Sequence, residues 1–346
     1  METKQNLLWI SYLRVFSTIA VIFLHTSSPL VSNYDTLKLS SWNIANFYDA
    51  ISRFCVPVFV MISGTLLFDK NLEINAFFKK RITRIVLPFL FWSLCYAVYV
   101  VYIRTDFYKT KSFVSIIKKI VRSVYFGSAY HLWYIYMLFG LLLIVPILNF
   151  WIVRAKKREI QYFLLIWFLS LIIKNFGIEN FVPNIEWSFF SEYIGYLVLG
   201  YFSSTTEFEN VRRWKVISFL LSISGFLVTF IGTYLLTIYQ GKLNTSLYDF
   251  FSFNVLISSI GLFLFFRSSS LFNRKQNWFF AQINKYSYGI YLVHVLCLWI
   301  LESFGVNGLL FSPFFGIPLT VFLCVLISLF IVKTLNRIKF GNYISG

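Results

Sequence analysis

Apolar stretches of about 18 residues or more recur along the whole chain, and no other feature limits its fold so tightly. Runs of that length, repeated with only short polar breaks, read as helices that cross a membrane. Composition agrees. A water-soluble domain carries about a quarter charged residues; here 58% of the residues are hydrophobic, 21% aromatic and only 13% charged. Too few charges are present to coat a surface against water. No block of soluble-domain size is left between the runs. The expectation is an all-α, polytopic membrane helix bundle of about ten transmembrane helices, with residues 1–346 forming a single integral membrane domain.

The predicted spans lie near residues 7–28, 43–68, 85–103, 130–151, 160–175, 188–202, 214–238, 250–267, 284–302 and 313–333. The second is too long for a straight crossing, and Pro57 is expected to kink it. The first holds Arg14 and shows no small-residue cleavage site, so it is expected to stay in the protein. The net charge of +17 does not imply nucleic acid, because Lys and Arg sit in short clusters between apolar runs, as membrane topology places them. With the N-terminus in the cytoplasm, the inward segments hold roughly twice the Lys and Arg of the outward loops. Both termini are therefore expected in the cytoplasm of a multi-pass protein of the cell membrane. Trp9, Trp42, Trp92, Trp133, Trp187 and Trp278 fall near span ends, where interfacial tryptophans are found.

One segment goes against the charge rule. Residues 104–129 would face outward, yet carry Arg104, Lys109, Lys111, Lys118, Lys119 and Arg122. Within them, FVSIIKKIVRSVYF places apolar and basic residues at helical spacing, as in an amphipathic helix on the bilayer surface. It would serve as a lipid anchor or hold an anionic or lipid-linked substrate.

The three histidines, His25, His131 and His294, all lie in or at the end of apolar runs. Ionisable groups there are costly, so each is a candidate functional residue, with a packed structural histidine as the plain alternative. Arg14 and His25 are eleven residues apart. Eleven helical steps bring both to the same face within roughly 20°, about 16 Å apart along the axis. They predict a polar track with a fixed cation on the cytoplasmic side and an imidazole near the outer face. Histidine suits removal of a proton from a hydroxyl that attacks a thioester, and arginine suits the phosphates of a coenzyme A donor. Arg81 and Arg84, in KKRITRIVLP, share a helix face and offer a second phosphate clamp; the alternative is ordinary positive-inside charge. Arg53 and Ser63 belong to SRFCVPVFVMISGTLLF, where Arg53 could snorkel to the interface or stabilise an anionic group. Trp133 follows His131 closely, and Glu192 reads as the most deeply placed acid. Cys55, Cys95, Cys297 and Cys324 lie in apolar runs without CxxC spacing and read as small buried hydrophobes, not as metal ligands.

These residues resemble the acyltransferase 3 family of membrane O-acyltransferases. R-x10-H is matched by Arg14 and His25. VPxFxxISG is matched by Val56, Pro57, Phe59, Ile62, Ser63 and Gly64. R-x-x-R is matched by Arg81 and Arg84, followed by Pro88, and S-x-G-I-Y-x-x-H by Ser287, Gly289, Ile290, Tyr291 and His294. The resemblance implies ten core helices, acetyl-CoA as donor substrate with no permanently bound cofactor, and a glycan or lipid-linked saccharide acceptor outside the cytoplasm. It implies His25 as base and Arg14 as a donor contact. The HLW and SRxxVPxFxMISG stretches most resemble the O-acetyltransferase branch of enterobacterial common antigen and exopolysaccharide. Many peptidoglycan-acetylating members have a glutamate where Leu138 stands, so a peptidoglycan acceptor is not expected and His25 needs another partner, His131 among the candidates. The expected activity is an O-acetyltransferase. Its rivals are an exporter of polysaccharide or lipid-linked sugar, and a membrane sensor or scaffold without turnover.

Overall fold

The computed structural model describes residues 8–68, 72–105, 107–109, 111–178, 182 and 192–346. Among them every regular element is helical. The α-helices in chain order are α1 (Leu8–Ser32), α2 (Leu39–Ser52), α3 (Cys55–Leu67), α4 (Ile74–Arg81), α5 (Leu87–Tyr99), α6 (Phe113–Phe126) and α7 (Trp133–Ile152). There follow α8 (Lys157–Phe176), α9 (Tyr193–Thr205), α10 (Val211–Gln240), α11 (Phe253–Ser268), α12 (Trp278–Ser303), α13 (Pro313–Leu335) and α14 (Asn342–Ser345).

Among the described residues, nine helical segments are long and apolar enough to cross a membrane, which makes the protein a multi-pass helix bundle. The predicted span 188–202 differs: its described part belongs to α9, only 13 residues long, and residues 188–191 lie outside the described residues. Lys4, Lys70 and Trp187 lie outside them too.

Proline chemistry sets the breaks. The second predicted span ends as a helix at Ser52 and restarts at Cys55 as α3. Pro57 has no N–H for the Arg53 carbonyl and its ring crowds that carbonyl, so the chain breaks a turn before the proline instead of bending at it. Pro88 acts in a related way. Residues Ile82–Val86, just before it, widen into a π-turn that joins α4 to α5 and carries Arg84.

α1 is the hub, packing against α2, α3, α11, α12 and α13. Its buried residues, from Trp9 to Val31, run round most of its circumference, as expected for a helix enclosed by others. Small residues bring α3 and α9 together. A Cβ on Gly64 would lie 1.8 Å from the Leu197 carbonyl oxygen, and one on Gly200 would lie 2.1 Å from that of Met61. Only glycine allows this approach at either position, and it fixes the neighbouring Ser63. Several expected interfacial tryptophans are core residues instead. Trp9, Trp42 and Trp92 are buried, and the Trp42 indole donates to the Val31 carbonyl at 3.0 Å. Trp133 and Trp278 are exposed. Cys55, Cys297 and Cys324 are buried and Cys95 half-buried, as small hydrophobes would be.

Candidate active site

The four sequence landmarks converge on one axis through the bundle. At the Arg14 end lies an open cavity of about 850 Å³. Arg14 enters it from α1, Lys80 and Arg81 from α4, and Arg84 from the π-turn. Phe59, Ile62 and Ser63 come from α3, Leu138 from α7, and Asn284, Lys285, Ser287 and Tyr288 from α12. Asn342, Tyr343 and Gly346 close one side. Arg14 is half-buried, and its Nη1 donates to Asn284 Oδ1 at 3.3 Å. Arg81 lays its guanidinium over the Phe77 ring at 4.6 Å, while Arg84 and Lys80 are exposed. Ser63 donates to the Phe59 carbonyl at 2.9 Å. Tyr288 donates to the Ile85 carbonyl at 2.8 Å, tying α12 to the π-turn. The wall thus collects several cations around a mixed polar and apolar pocket, which suits a phosphate-bearing ligand with an apolar arm.

At the other end of α1 the three histidines meet. His25 stacks on His294 with ring centroids 5.3 Å apart, His131 meets His294 at 4.9 Å, and His25 meets His131 at 6.2 Å. His131 and His294 are fully buried, whereas His25 is half-buried. The backbone of α12 fixes the tautomers. His294 Nδ1–H donates to the Tyr291 carbonyl at 2.6 Å, and His131 Nε2–H donates to the Leu292 carbonyl at 3.4 Å. That leaves His294 Nε2 and His131 Nδ1 without partners. In the neutral tautomers these two nitrogens are bare acceptors beside His25. Tyr291 donates to the His131 carbonyl, and Tyr96 donates to the Leu292 carbonyl at 2.9 Å while accepting from the Leu296 N–H. Among the described residues, no three His, Cys, Asp or Glu groups are disposed to hold a metal ion.

The Arg14 cavity does not extend to His25, in contrast to the continuous polar track expected from their common face. His25 is not on the wall of the Arg14 cavity. A ladder of rings separates the two: Phe59 on the wall meets Tyr134 at 6.1 Å, Tyr134 meets Tyr291 at 5.5 Å, and Tyr291 meets His294 at 5.6 Å. Leu138 lines the Arg14 cavity.

The remaining expectations separate. Arg53 is neither snorkelling nor free. It pairs with the fully buried Asp49 four residues earlier, donates from Nη1 to the Tyr248 carbonyl at 3.4 Å, and covers the Tyr248 ring at 4.0 Å. With Ser28, Lys174 and Asp249 it lines a second cavity, of about 660 Å³, at the His25 end. Glu192 is exposed, not deep. Its backbone adopts φ 76° ahead of α9, and its carbonyl accepts from Trp167. Among the described residues, Asp49 is the fully buried acid. Trp133 is 40% exposed and stacks on Phe250. Sequence reasoning missed Tyr130, whose ring lies 5.0 Å from His25, and Asn284, the partner of Arg14. Only adjacency marked them: Tyr130 precedes His131, and Asn284 lies one turn before Ser287.

No curated protein and no solved structure matched the chain. The family profile described as an acyltransferase domain matches residues 7–333. That match takes in all four landmarks and both ends of the site, so the chain belongs to the acyltransferase 3 family and is a membrane acyltransferase.

Proposed function

We propose that the protein is a cell-membrane O-acetyltransferase that takes an acetyl group from cytoplasmic acetyl-CoA and esterifies a hydroxyl of a cell-surface or exported glycan. The observation that carries this reading is the division of labour along α1: a cation-rich cavity at Arg14, and a half-buried imidazole, flanked by two buried ones, at His25. Lys80, Arg81, Arg84 and Lys285 at the Arg14 end favour the cytoplasm for that side. Arg14, Arg81 and Arg84 would hold the phosphates of the donor, and the pantetheine arm would run along Phe59, Ile62 and Leu138 towards His25.

At His25 the acceptor hydroxyl attacks the thioester carbonyl. Its proton passes to His25 as the new C–O bond forms. The C–S bond breaks, and the thiolate leaves and takes up a proton to become coenzyme A. In the reacting complex one of the two unpartnered lone pairs, His131 Nδ1 or His294 Nε2, would accept the single N–H of His25 and orient its ring. The ring ladder of Phe59, Tyr134 and Tyr291 keeps water from the thioester until the arm displaces it.

The test uses purified protein in liposomes with labelled acetyl-CoA and a glycan acceptor. Label should become ester-linked to the glycan. Movement of acceptor across the bilayer without transfer of label would replace the enzyme with an exporter.

A further inference from the structure

Past α13 the chain turns back towards the Arg14 cavity. Two tight turns follow Leu335, with the Ile338 N–H on the Leu335 carbonyl at 3.1 Å and the Gly341 N–H on the Ile338 carbonyl at 2.8 Å. α14 then packs against α5 and α13. Asn336 Nδ2 donates to the hydroxyl of the buried Ser345 at 2.8 Å and pins the far end of α14. The Ser345 carbonyl presses on α12 at Gly289, where a Cβ would lie 2.2 Å from its oxygen. The glycine of the S-x-G-I-Y-x-x-H landmark is thus the seat of this segment.

So anchored, α14 presents its first turn to the cavity. Asn342 and Tyr343 line it, Asn342 exposed and Tyr343 40% exposed. Lys80, Arg81, Arg84 and Lys285 line the same cavity. The family match stops at residue 333, so α14 lies outside it. A tyrosine near a membrane surface ordinarily faces the headgroups; Tyr343 instead shares a cavity with these cations. Its ring offers a flat face, and the Asn342 amide offers one acceptor and a donor group. Those are the complements of a purine, which stacks on aromatic rings and pairs its amino edge with an asparagine amide. A lipid headgroup or a sugar phosphate would use the cations and leave both residues idle.

We propose that α14 is the base-recognition element of the donor site: Tyr343 stacks on the adenine of coenzyme A and Asn342 reads its amino edge, while the cations hold the phosphates. This inference rests on the coenzyme A reading of the cavity and adds to it a subsite for the base.

The experiment measures equilibrium binding to the intact protein in nanodiscs. Its probes are coenzyme A, an abasic analogue that keeps the ribose, the phosphates and the arm, and the analogue with hypoxanthine for adenine. The wild type should bind coenzyme A at least about tenfold tighter than the abasic analogue, and Tyr343→Ala should bind the two nearly alike. The abasic analogue should bind equally well to both proteins, which also reports an intact cavity. Tyr343→Phe should keep the preference. The wild type should favour adenine over hypoxanthine by at least about fivefold, and Asn342→Ala should lose that discrimination. A full preference for coenzyme A in Tyr343→Ala overturns the proposal, as does an equal loss of both ligands, which would make Tyr343 a structural part of the wall. Discrimination that survives in Asn342→Ala overturns the contact assigned to Asn342. If the wild type binds coenzyme A and the abasic analogue equally, this inference alone falls. If it binds neither, the coenzyme A reading of the cavity falls and takes this one with it.

Discussion

Breaking the Asp49–Arg53 pair should destabilise the bundle, and which side is broken should matter. Asp49 is fully buried and Arg53 14% exposed. Removing one member of a buried ion pair costs about 3–5 kcal/mol, because the other is left uncompensated. Asp49→Asn leaves a guanidinium that keeps the Tyr248 ring, the Tyr248 carbonyl and some solvent, so its cost lies near the lower figure of about 3 kcal/mol. Arg53→Gln leaves a fully buried acid with only the hydroxyls of Ser27, at 3.4 Å, and Ser28 to support it, so its cost lies near the upper figure of about 5 kcal/mol. The double variant carries neither charge and should recover part of the loss. For Asp49→Asn the melting temperature should fall by about 5–10 °C, and further for Arg53→Gln. The buried thiols of Cys55, Cys297 and Cys324 supply the assay, since a thiol-reactive fluorogenic dye lights up as they become exposed on heating. Equal shifts for the two single variants, or a double variant as poor as their sum, would refute the reasoning.

Three shorter predictions concern the donor contact, the packing of α3 on α9 and the ring layer. Arg14→Gln should raise the KM for the acetyl donor roughly tenfold or more with a smaller change in kcat, and Arg14→Lys should restore it only in part, as initial rates against donor concentration will report. Gly200→Val should lower the melting temperature by the few degrees that correspond to about 1–3 kcal/mol of overpacking, because its Cβ would sit 2.1 Å from the Met61 carbonyl oxygen. Tyr134→Ala should open the ring layer and raise acetyl-CoA hydrolysis in the absence of acceptor; unchanged hydrolysis would deny the layer its role as a water barrier.

Much of this was legible in the residues, for identifiable reasons. Hydrophobic length revealed the helices, and helical geometry placed Arg14 and His25 on one face of α1, because both depend on local periodicity alone. The amphipathic pattern of α6 was readable for the same cause. What neighbouring helices insert is not local. The ring layer between Arg14 and His25 comes from α3, α7 and α12, and a helical wheel of α1 carries no trace of it. Glu192 looked deep because apolar residues surround it in sequence, yet it precedes the first turn of α9 and is exposed. Asp49 and Arg53 stand at the i, i+4 spacing of an ion pair, but that spacing alone does not separate a buried pair from an arginine that snorkels to the interface. The meeting of His25, His131 and His294 needed the packing of α1 against α12.

The most direct measurement of the central claim is the initial rate of acetyl transfer by His25→Ala beside the wild type, each reconstituted and each checked for coenzyme A binding. Base catalysis by His25 predicts that transfer falls by at least about a hundredfold while the donor still binds. Transfer at the wild-type rate by a variant that lacks this imidazole would contradict it.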